Sequence, residues 1–416
     1  MLNLSPEERE QLQLERLQAT LNRAYRNVPF HRNRQNEAAG RSGKDPSIIE
    51  RVADIAVLPF MERKHLGEHY PYGLFAVPLR DIVRIHTAPG TTRHPTVTGY
   101  TRQDLRIWQE MVGRAFTAAG IDSEDILQID LDPGLANWGR DYKDGAEGLD
   151  VAVIPNTLLS PNKQLMVLRD YKTSAMVTTP SRAMQLTELM FKAEINPTAL
   201  NLKRLILVGE PLSPHTREHL ERLLHVETWH HFGLSEVPGP AVAFECHAHQ
   251  GVHINEDHFF PEIVDPDTGR VLPPGETGEL VLTTLTTRAF PLIRFRTGER
   301  ARFIQEPCGC GISSLRMEWF DQRTDDILNL NGVKVHQSQI QWQIEATLSF
   351  IPKYRTRVLE APGEKKHLGV FIAMDDRLFS DEIKVLERRI ALLEGDLSEN
   401  LGVPVRVTLV EHAFPE

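Results

Sequence analysis

The chain has 416 residues, 41% of them hydrophobic and 25% charged, a length beyond that at which a single core stops growing, so two or three structural units are expected. Its formal net charge of -10, with Lys and Arg spread along the chain, excludes the concentrated basic surface of a nucleic-acid binder; an anionic cofactor would need a local positive site. No apolar run approaches the roughly 18 residues of a membrane span, and Met1 to Glu10 lack the apolar core of a signal peptide, so a cytoplasmic protein with no membrane or nucleic-acid partner is expected.

Leu12, Leu14, Leu17, Leu21 and Tyr25 fall at mostly helical spacing over 6–26, and Asn27-Val28-Pro29-Phe30 reads as a helix stopped by proline. The turn-rich words Val57-Leu58-Pro59-Phe60-Met61 and Tyr70-Pro71-Tyr72-Gly73-Leu74-Phe75-Ala76-Val77-Pro78 then lead to a Gly/Thr loop, His86 to Pro95. Leu105, Trp108, Val112, Phe116 and Ala119 predict a helix with one buried face over 104–120. Strand-like runs at 126–129, 151–154 and 205–208 alternate with helical ones at 181–194 and 214–224, which predicts a mostly parallel, doubly wound sheet. Ligands of such sheets sit outside the carboxyl ends of the strands. After Gly239 the pattern turns to β, with strands expected at 241–245, 278–284, 293–296 and 300–304 around a Pro273-Pro274-Gly275 turn. The remainder reads helix 337–347, strands 354–359 and 368–374, helix 380–400 and strand 405–409, a small α+β unit. A large domain over 1–322 and a shortened lid over 323–416 are the expected division.

A loop that wraps a triphosphate needs residues without bulk, so that backbone N–H groups converge on the anion, and hydroxyls as further donors. Gly90, Thr91 and Thr92 supply both. The frame His86-Thr87-Ala88-Pro89-Gly90-Thr91-Thr92-Arg93-His94-Pro95 resembles the phosphate loop of phenylacetate-CoA ligases, a branch of the adenylate-forming (ANL) superfamily, which reads roughly His-Ala-Ser-Ser-Gly-Thr-Thr-Gly-Lys-Pro. Ala88 and Pro89 stand where the family has serines, Arg93 where it has glycine and His94 where it has lysine.

Four later segments extend the resemblance over nearly the whole chain. Gly209-Glu210-Pro211 resembles the wall beside adenine, and Phe232-Gly233-Leu234-Ser235-Glu236 resembles Tyr-Gly-Leu-Ser-Glu, whose aromatic face stacks on adenine and whose carboxylate holds Mg²⁺. Pro291 to Glu299 resembles a strand ending in the aspartate that binds ribose hydroxyls; Glu299 is one methylene longer. Asp321 to Val335, with Arg323, Asp325 and Lys334, resembles the hinge, where Asp325 takes the place of the residue that absorbs the lid rotation.

The resemblance implies an α/β adenylate-forming fold, ATP and AMP with Mg²⁺ at Glu236, and CoA or another acyl acceptor. The expected reaction is activation of a small aromatic carboxylic acid, aryl or arylacetic, through acyl-AMP to a thioester; a homodimer is compatible. The catalytic residues it implies are Glu236, Asp325 and Lys334. Family members continue into a Ser-Glu-Gly-Lys-like segment, short of which this sequence stops at Val410 to Glu416, so adenylation is expected to be compromised. The altered loop and terminus keep a second reading open, a binding protein derived from the enzyme or a catalyst of another acyl-transfer step in a biosynthetic pathway.

Three cysteines occur, Cys246, Cys308 and Cys310, the last two separated by a single glycine, a poor disulfide pattern and a reasonable metal-ligand one. With one histidine they would make a tetrahedral structural zinc site. His247, His249 and His253 are all near Cys246, and His253 is chosen because Gly251-Val252-His253-Ile254 resembles a family word; three isolated thiols are the alternative. For the acid, Trp138 and Tyr142 could flank a planar ring and Arg140 pair with a second acidic group, while surface exposure of all three is the other account.

Overall fold

A computed structural model of the protein describes all residues except 1–3, 43–48, 89–93, 132–135, 156–158, 238, 331–332, 360–365, 375–376, 379–382 and 411–416. Helix α1 (Pro6–Asn27) begins at a reciprocal cap in which Ser5 Oγ accepts the Glu8 amide at 3.2 Å and the Glu8 carboxylate accepts the Ser5 amide at 2.9 Å. Pro29 ends α1 and also opens α2 (Pro29–Ser42), since proline's fixed φ suits a first helical position as well as a stop. The short helix α3 (Arg63–Glu68) precedes an antiparallel hairpin, β1 (Ile82–Ala88) and β2 (Thr96–Thr101), whose connection carries the Gly/Thr loop. Helix α4 (Arg102–Ala118) is capped through Thr101 and Asp104; the buried Asp104 carboxylate also accepts the Arg288 amide at 2.7 Å, tying the helix to the distant β region.

The parallel part runs β3 (Ile126–Asp130), α5 (Ala136–Glu147), β4 (Ala152–Ile154), α6 (Pro161–Asp170), β5 (Ala175–Thr178), α7 (Pro180–Lys192), β6 (Arg204–Val208), α8 (Pro214–Leu224) and β7 (Glu227–Phe232), with strand order β4-β3-β5-β6-β7. Strands β8 (Ala243–Glu245), β9 (Val252–Ile254), β10 (Phe259–Val264), β11 (Thr277–Thr284), β12 (Phe295–Ile304) and β13 (Arg316–Arg323) continue antiparallel from β7 in the order β8-β9-β13-β12-β11-β10, making one 11-stranded sheet. The doubly wound sheet and the β region are therefore continuous.

The strands expected at 293–296 and 300–304 are one strand, β12, whose register shifts beside Glu299, next to Gly298 at φ +70. A side chain at Gly298 would collide with Asp325 Oδ2, so this glycine serves both the bulge and the close approach of the segment after β13.

Beyond it lie β14 (Ile327–Leu330), β15 (Val333–His336), α9 (Gln337–Leu348), β16 (Tyr354–Leu359), β17 (His367–Ala373), α10 (Ile383–Leu401) and β18 (Val405–Val410). Strands β16, β17 and β18 form their own sheet, and Leu330, Val335, Ile340, Leu368, Leu393 and Leu397 bury one another in a core separate from that of the large sheet. Among the described residues no helix is long and apolar enough to cross a membrane.

Candidate active site and thiol cluster

The carboxyl ends of β6 and β7 build one wall of a groove. At the end of β6 the chain turns through Gly209 and Glu210, whose carboxylate accepts the Ser181 amide at 3.0 Å and hydroxyl at 2.7 Å, fixing the turn to the start of α7. The Gly209 carbonyl accepts Asn329 Nδ2 at 3.0 Å, joining the turn to β14. A cavity of about 880 Å³ runs along this wall, lined by Glu210, Pro211, His230, Trp319, Asn329 and Lys366 among others. Phe232 is fully buried with its ring edge-on to Trp319, centroids 4.9 Å apart, so it presents no free face; Trp319 in turn stacks on His230 at 5.3 Å. Gly233 follows because a Cβ there would stand 2.6 Å from the Pro240 carbonyl oxygen. Ser235 is half-buried and Glu236 buried.

A chain of charges crosses from this wall to the segment after β13. Glu236 is ion-paired with Arg63 of α3, while its Oε2 is buried without a partner. Arg63 Nη2 and Arg323 Nη2 donate to the same Thr297 carbonyl, at 2.8 and 2.9 Å. Arg323 grips Asp325 with two hydrogen bonds of 2.6 and 2.7 Å and also binds Glu299, which Lys334 contacts as well. The second Glu299 oxygen accepts Trp319 Nε1 at 3.0 Å. Burial alone would raise the Glu299 carboxyl, but Lys334 and Arg323 outweigh it and hold it down at about 2. Burial, opposed by Glu299, lowers Lys334 to about 8, and burial together with Arg323 lowers Arg63 to about 10.

Of the expected phosphate loop, Gly90, Thr91, Thr92 and Arg93 lie outside the described residues; His94 is exposed and stacks on Tyr70 at 4.7 Å. Trp138 and Tyr142 belong to the main core, on helix α5, with Tyr142 fully buried and its hydroxyl 3.1 Å from His231 Nδ1. Arg140 on the same helix is exposed. Sequence reasoning missed Arg63 and Trp319. Arg63 lies just after Val57 to Met61, but in Glu62-Arg63-Lys64 it looks like part of a solvated charge run, and Trp319 sits in a strand without clean alternation.

Behind the wall, one ligand atom from each of Cys246, His253, Cys308 and Cys310 lies within 4.8 Å of the other three. Cys246 Sγ and Cys308 Sγ are 3.5 Å apart, too far for a disulfide, and Cys310 Sγ is 3.4 Å from His253 Nε2. Four ligands about 2.1–2.3 Å from a shared tetrahedral centre would be separated by roughly 3.5–3.8 Å, so the donor set fits a zinc ion. His253 Nδ1 is 3.2 Å from the Ser314 carbonyl, which leaves Nε2 free to face the thiols, and burial lowers this imidazole to about 4, keeping it in the neutral form that ligates metals. Burial pushes the Cys246 thiol up to about 12, while for Cys308 burial is outweighed by hydrogen bonds from Cys310 and Cys246, which hold its thiol below the ordinary value. His249 turns instead toward Glu245, at 3.3 Å.

Residues 146–286 match the model of the AMP-binding enzyme family. Among solved structures, the chain superposes on 2-hydroxyisobutyryl-CoA ligase, in complex with 2-HIB-AMP and CoA in the thioesterification state, with a TM-score of 0.90 and 24% identity, covering 100% of this chain and 89% of that one. The fold is that of the adenylate-forming enzymes. Phenylacetate-coenzyme A ligase of Thermus thermophilus is 37% identical over 411 residues, 96% of this chain and 92% of the relative, and that of Pseudomonas putida is 38% identical over 335 residues, 80% and 75%. The chain belongs to the phenylacetate-coenzyme A ligase family.

Proposed function

We propose that this protein activates a carboxylic acid with ATP and transfers the acyl group to CoA, the acid being of the aryl or arylacetic class. The observation that carries the reading is the charge chain from Glu236 to Lys334, set at the carboxyl ends of the parallel strands in a chain 37% identical to a phenylacetate-coenzyme A ligase. Arg63, Arg323 and Lys334 supply positive charge to phosphate groups in a net-acidic protein. Glu236 Oε2, a buried acceptor without a partner, fits a divalent cation, which would neutralise phosphate charge when bound. Each carboxylate oxygen can accept two hydrogen bonds, so Glu299 Oε2 keeps capacity for a ribose hydroxyl beside Trp319. The turn at Gly209 to Pro211 borders the base, with Trp319 the partly exposed aromatic at hand.

In this reading residues 1–322 are the body and 323–416 the lid, and rotation about Asp325 lets acyl-AMP form in one pose and react with the CoA thiol in another. Trp138 and Tyr142, buried in the core, support the fold beneath the acid site and do not flank the acid, and Arg140, exposed on α5, is the member of this set that can meet a second acidic group. The cluster of Cys246, His253, Cys308 and Cys310 holds a structural zinc that braces the loops behind the nucleotide wall and takes no part in the chemistry. Pyrophosphate exchange, followed by thioester formation from CoA, across a panel of aromatic acids tests the reading. Exchange with at least one acid supports it; an acid that binds yet yields neither exchange nor thioester replaces it with a non-catalytic binding role.

A further inference from the structure

Arg63 stands between the body carboxylate and the hinge. Its guanidinium is 12% exposed and makes three kinds of contact: an ion pair with Glu236, a 2.8 Å hydrogen bond to the Thr297 carbonyl and a cation–π approach of 5.6 Å to Phe295. Its Nε is buried without a hydrogen-bond partner and lies 3.9 Å from Asp325 Oδ2. Asp325 is 26% exposed and gripped by Arg323, and a cavity of about 410 Å³, lined by Arg63, Gly298, Asp325 and His336 among others, opens beside it. Both ends of this bridge are thus incompletely satisfied: Glu236 keeps one buried oxygen without a donor, and Arg63 keeps an Nε without a partner 3.9 Å from Asp325 Oδ2. A buried polar atom without a partner is costly, so the arrangement gains from any ligand that completes both ends.

We propose that Arg63 is a positioning residue that shares its charge between Glu236 and Asp325, so that a divalent cation arriving at Glu236 moves the guanidinium toward Asp325 and couples the occupancy of the body to the hinge. The inference rests on the proposed function in taking Glu236 as the carboxylate that meets the metal. Two like charges cannot share the Glu236 carboxylate at full strength, and the cavity beside Asp325 gives the displaced guanidinium room without unfolding a neighbour. The Thr297 carbonyl, held by both arginines, is the pivot.

The test is the melting temperature of the full chain at fixed ATP, titrated with Mg²⁺, for the parent, Arg63→Gln and Arg63→Lys, alongside tryptic cleavage at the Arg323–Thr324 bond. Arg63→Gln should melt lower than the parent without Mg²⁺ and reach half-maximal stabilisation at a roughly fivefold lower Mg²⁺ concentration, because the competing charge is gone. Arg63→Lys, a point charge that holds one carboxylate without bridging two, should keep the parent midpoint and lose the change in hinge cleavage that Mg²⁺ causes in the parent. If Arg63→Gln does not fold, the lysine variant decides alone. An unchanged or higher midpoint in Arg63→Gln, hinge cleavage that still follows Mg²⁺ in Arg63→Lys, or no Mg²⁺-dependent melting in the parent would overturn the proposal. Expected melting behaviour without pyrophosphate exchange for any acid would instead remove the catalytic reading and leave Arg63 in its place.

Discussion

Lys334 of β15 and Glu299 of β12 form an ion pair, the lysine side chain 19% and the glutamate 3% exposed. With Arg323 of the neighbouring strand β13 on the same carboxylate oxygen, two cations hold one buried anion of β12.

That pair makes acid stability depend on Glu299. Its folded carboxyl, at about 2, lies below the ordinary glutamate value of 4.5, so the folded state binds fewer protons between those values, and the contribution is present above 4.5 and lost as pH falls toward 2. The effect is on the order of 3 kcal/mol. Glu299→Gln should flatten the acid limb of a pH titration of stability across that window. Lys334 has the opposite charge but a lowered value, about 8 against 10.5, so the folded state again holds fewer protons and its unfavourable burial is relieved as pH rises from 8 to 10.5. Chemical denaturation of parent and Glu299→Gln from pH 2 to 6 measures the first effect; parallel curves would refute it.

Gly298→Ala should destabilise the protein by roughly 1–3 kcal/mol, since it places a side chain in the left-handed region and against the Asp325 carboxylate. Differential scanning calorimetry, with hydrogen exchange over 323–336, reads the loss. Faster exchange confined to the hinge is expected, and an unaltered melting curve would show that the bulge relaxes freely.

Purified protein should carry about one zinc per chain, and stripping it should lower the melting temperature because the binding free energy is folding free energy. Cys308→Ser should aggregate or melt early for the same reason. Metal analysis without zinc, together with a Cys308→Ser variant as stable as the parent, would refute the zinc reading.

The letters of the phosphate loop predict weak MgATP binding. Hydrogen bonds to charged groups contribute about 1.5–3 kcal/mol each, so restoring two hydroxyls and a glycine through Ala88→Ser, Pro89→Ser and Arg93→Gly together should tighten binding tenfold or more, about 1.4 kcal/mol per factor of ten. Use of ready-made acyl-AMP should outpace ATP-dependent synthesis in the parent, and Asp325→Pro should abolish that gain. Calorimetry that finds the parent already at micromolar affinity would argue against this.

Long segments with regular apolar spacing were legible: α1, α4, α7, α8, and α9, α10, β16, β17 and β18 of the smaller core fall close to where periodicity placed them. Helices α2, α3, α5 and α6 and strands β1, β2, β5, β7, β9, β10, β13, β14 and β15 were not. Strand β5, Ala-Met-Val-Thr, is four residues buried on both faces, too short to show a period, and β7 hides polar letters, Thr228, His230 and His231, inside the sheet.

Local sequence by itself determined which segments turn, cap and alternate, and it carried the family words, because each depends on residues a few positions apart. It also singled out Cys246, His253, Cys308 and Cys310 as donors that could share one metal. Tertiary structure decided what meets across the chain: that the parallel and antiparallel strands form one sheet, that Phe232 is sealed behind Trp319, and that Arg63 reaches both Glu236 and the surroundings of Asp325. Those relations join residues far apart in sequence. Burial and Coulomb energy, which no local pattern encodes, give Arg63 and Glu299 their place in the charge chain.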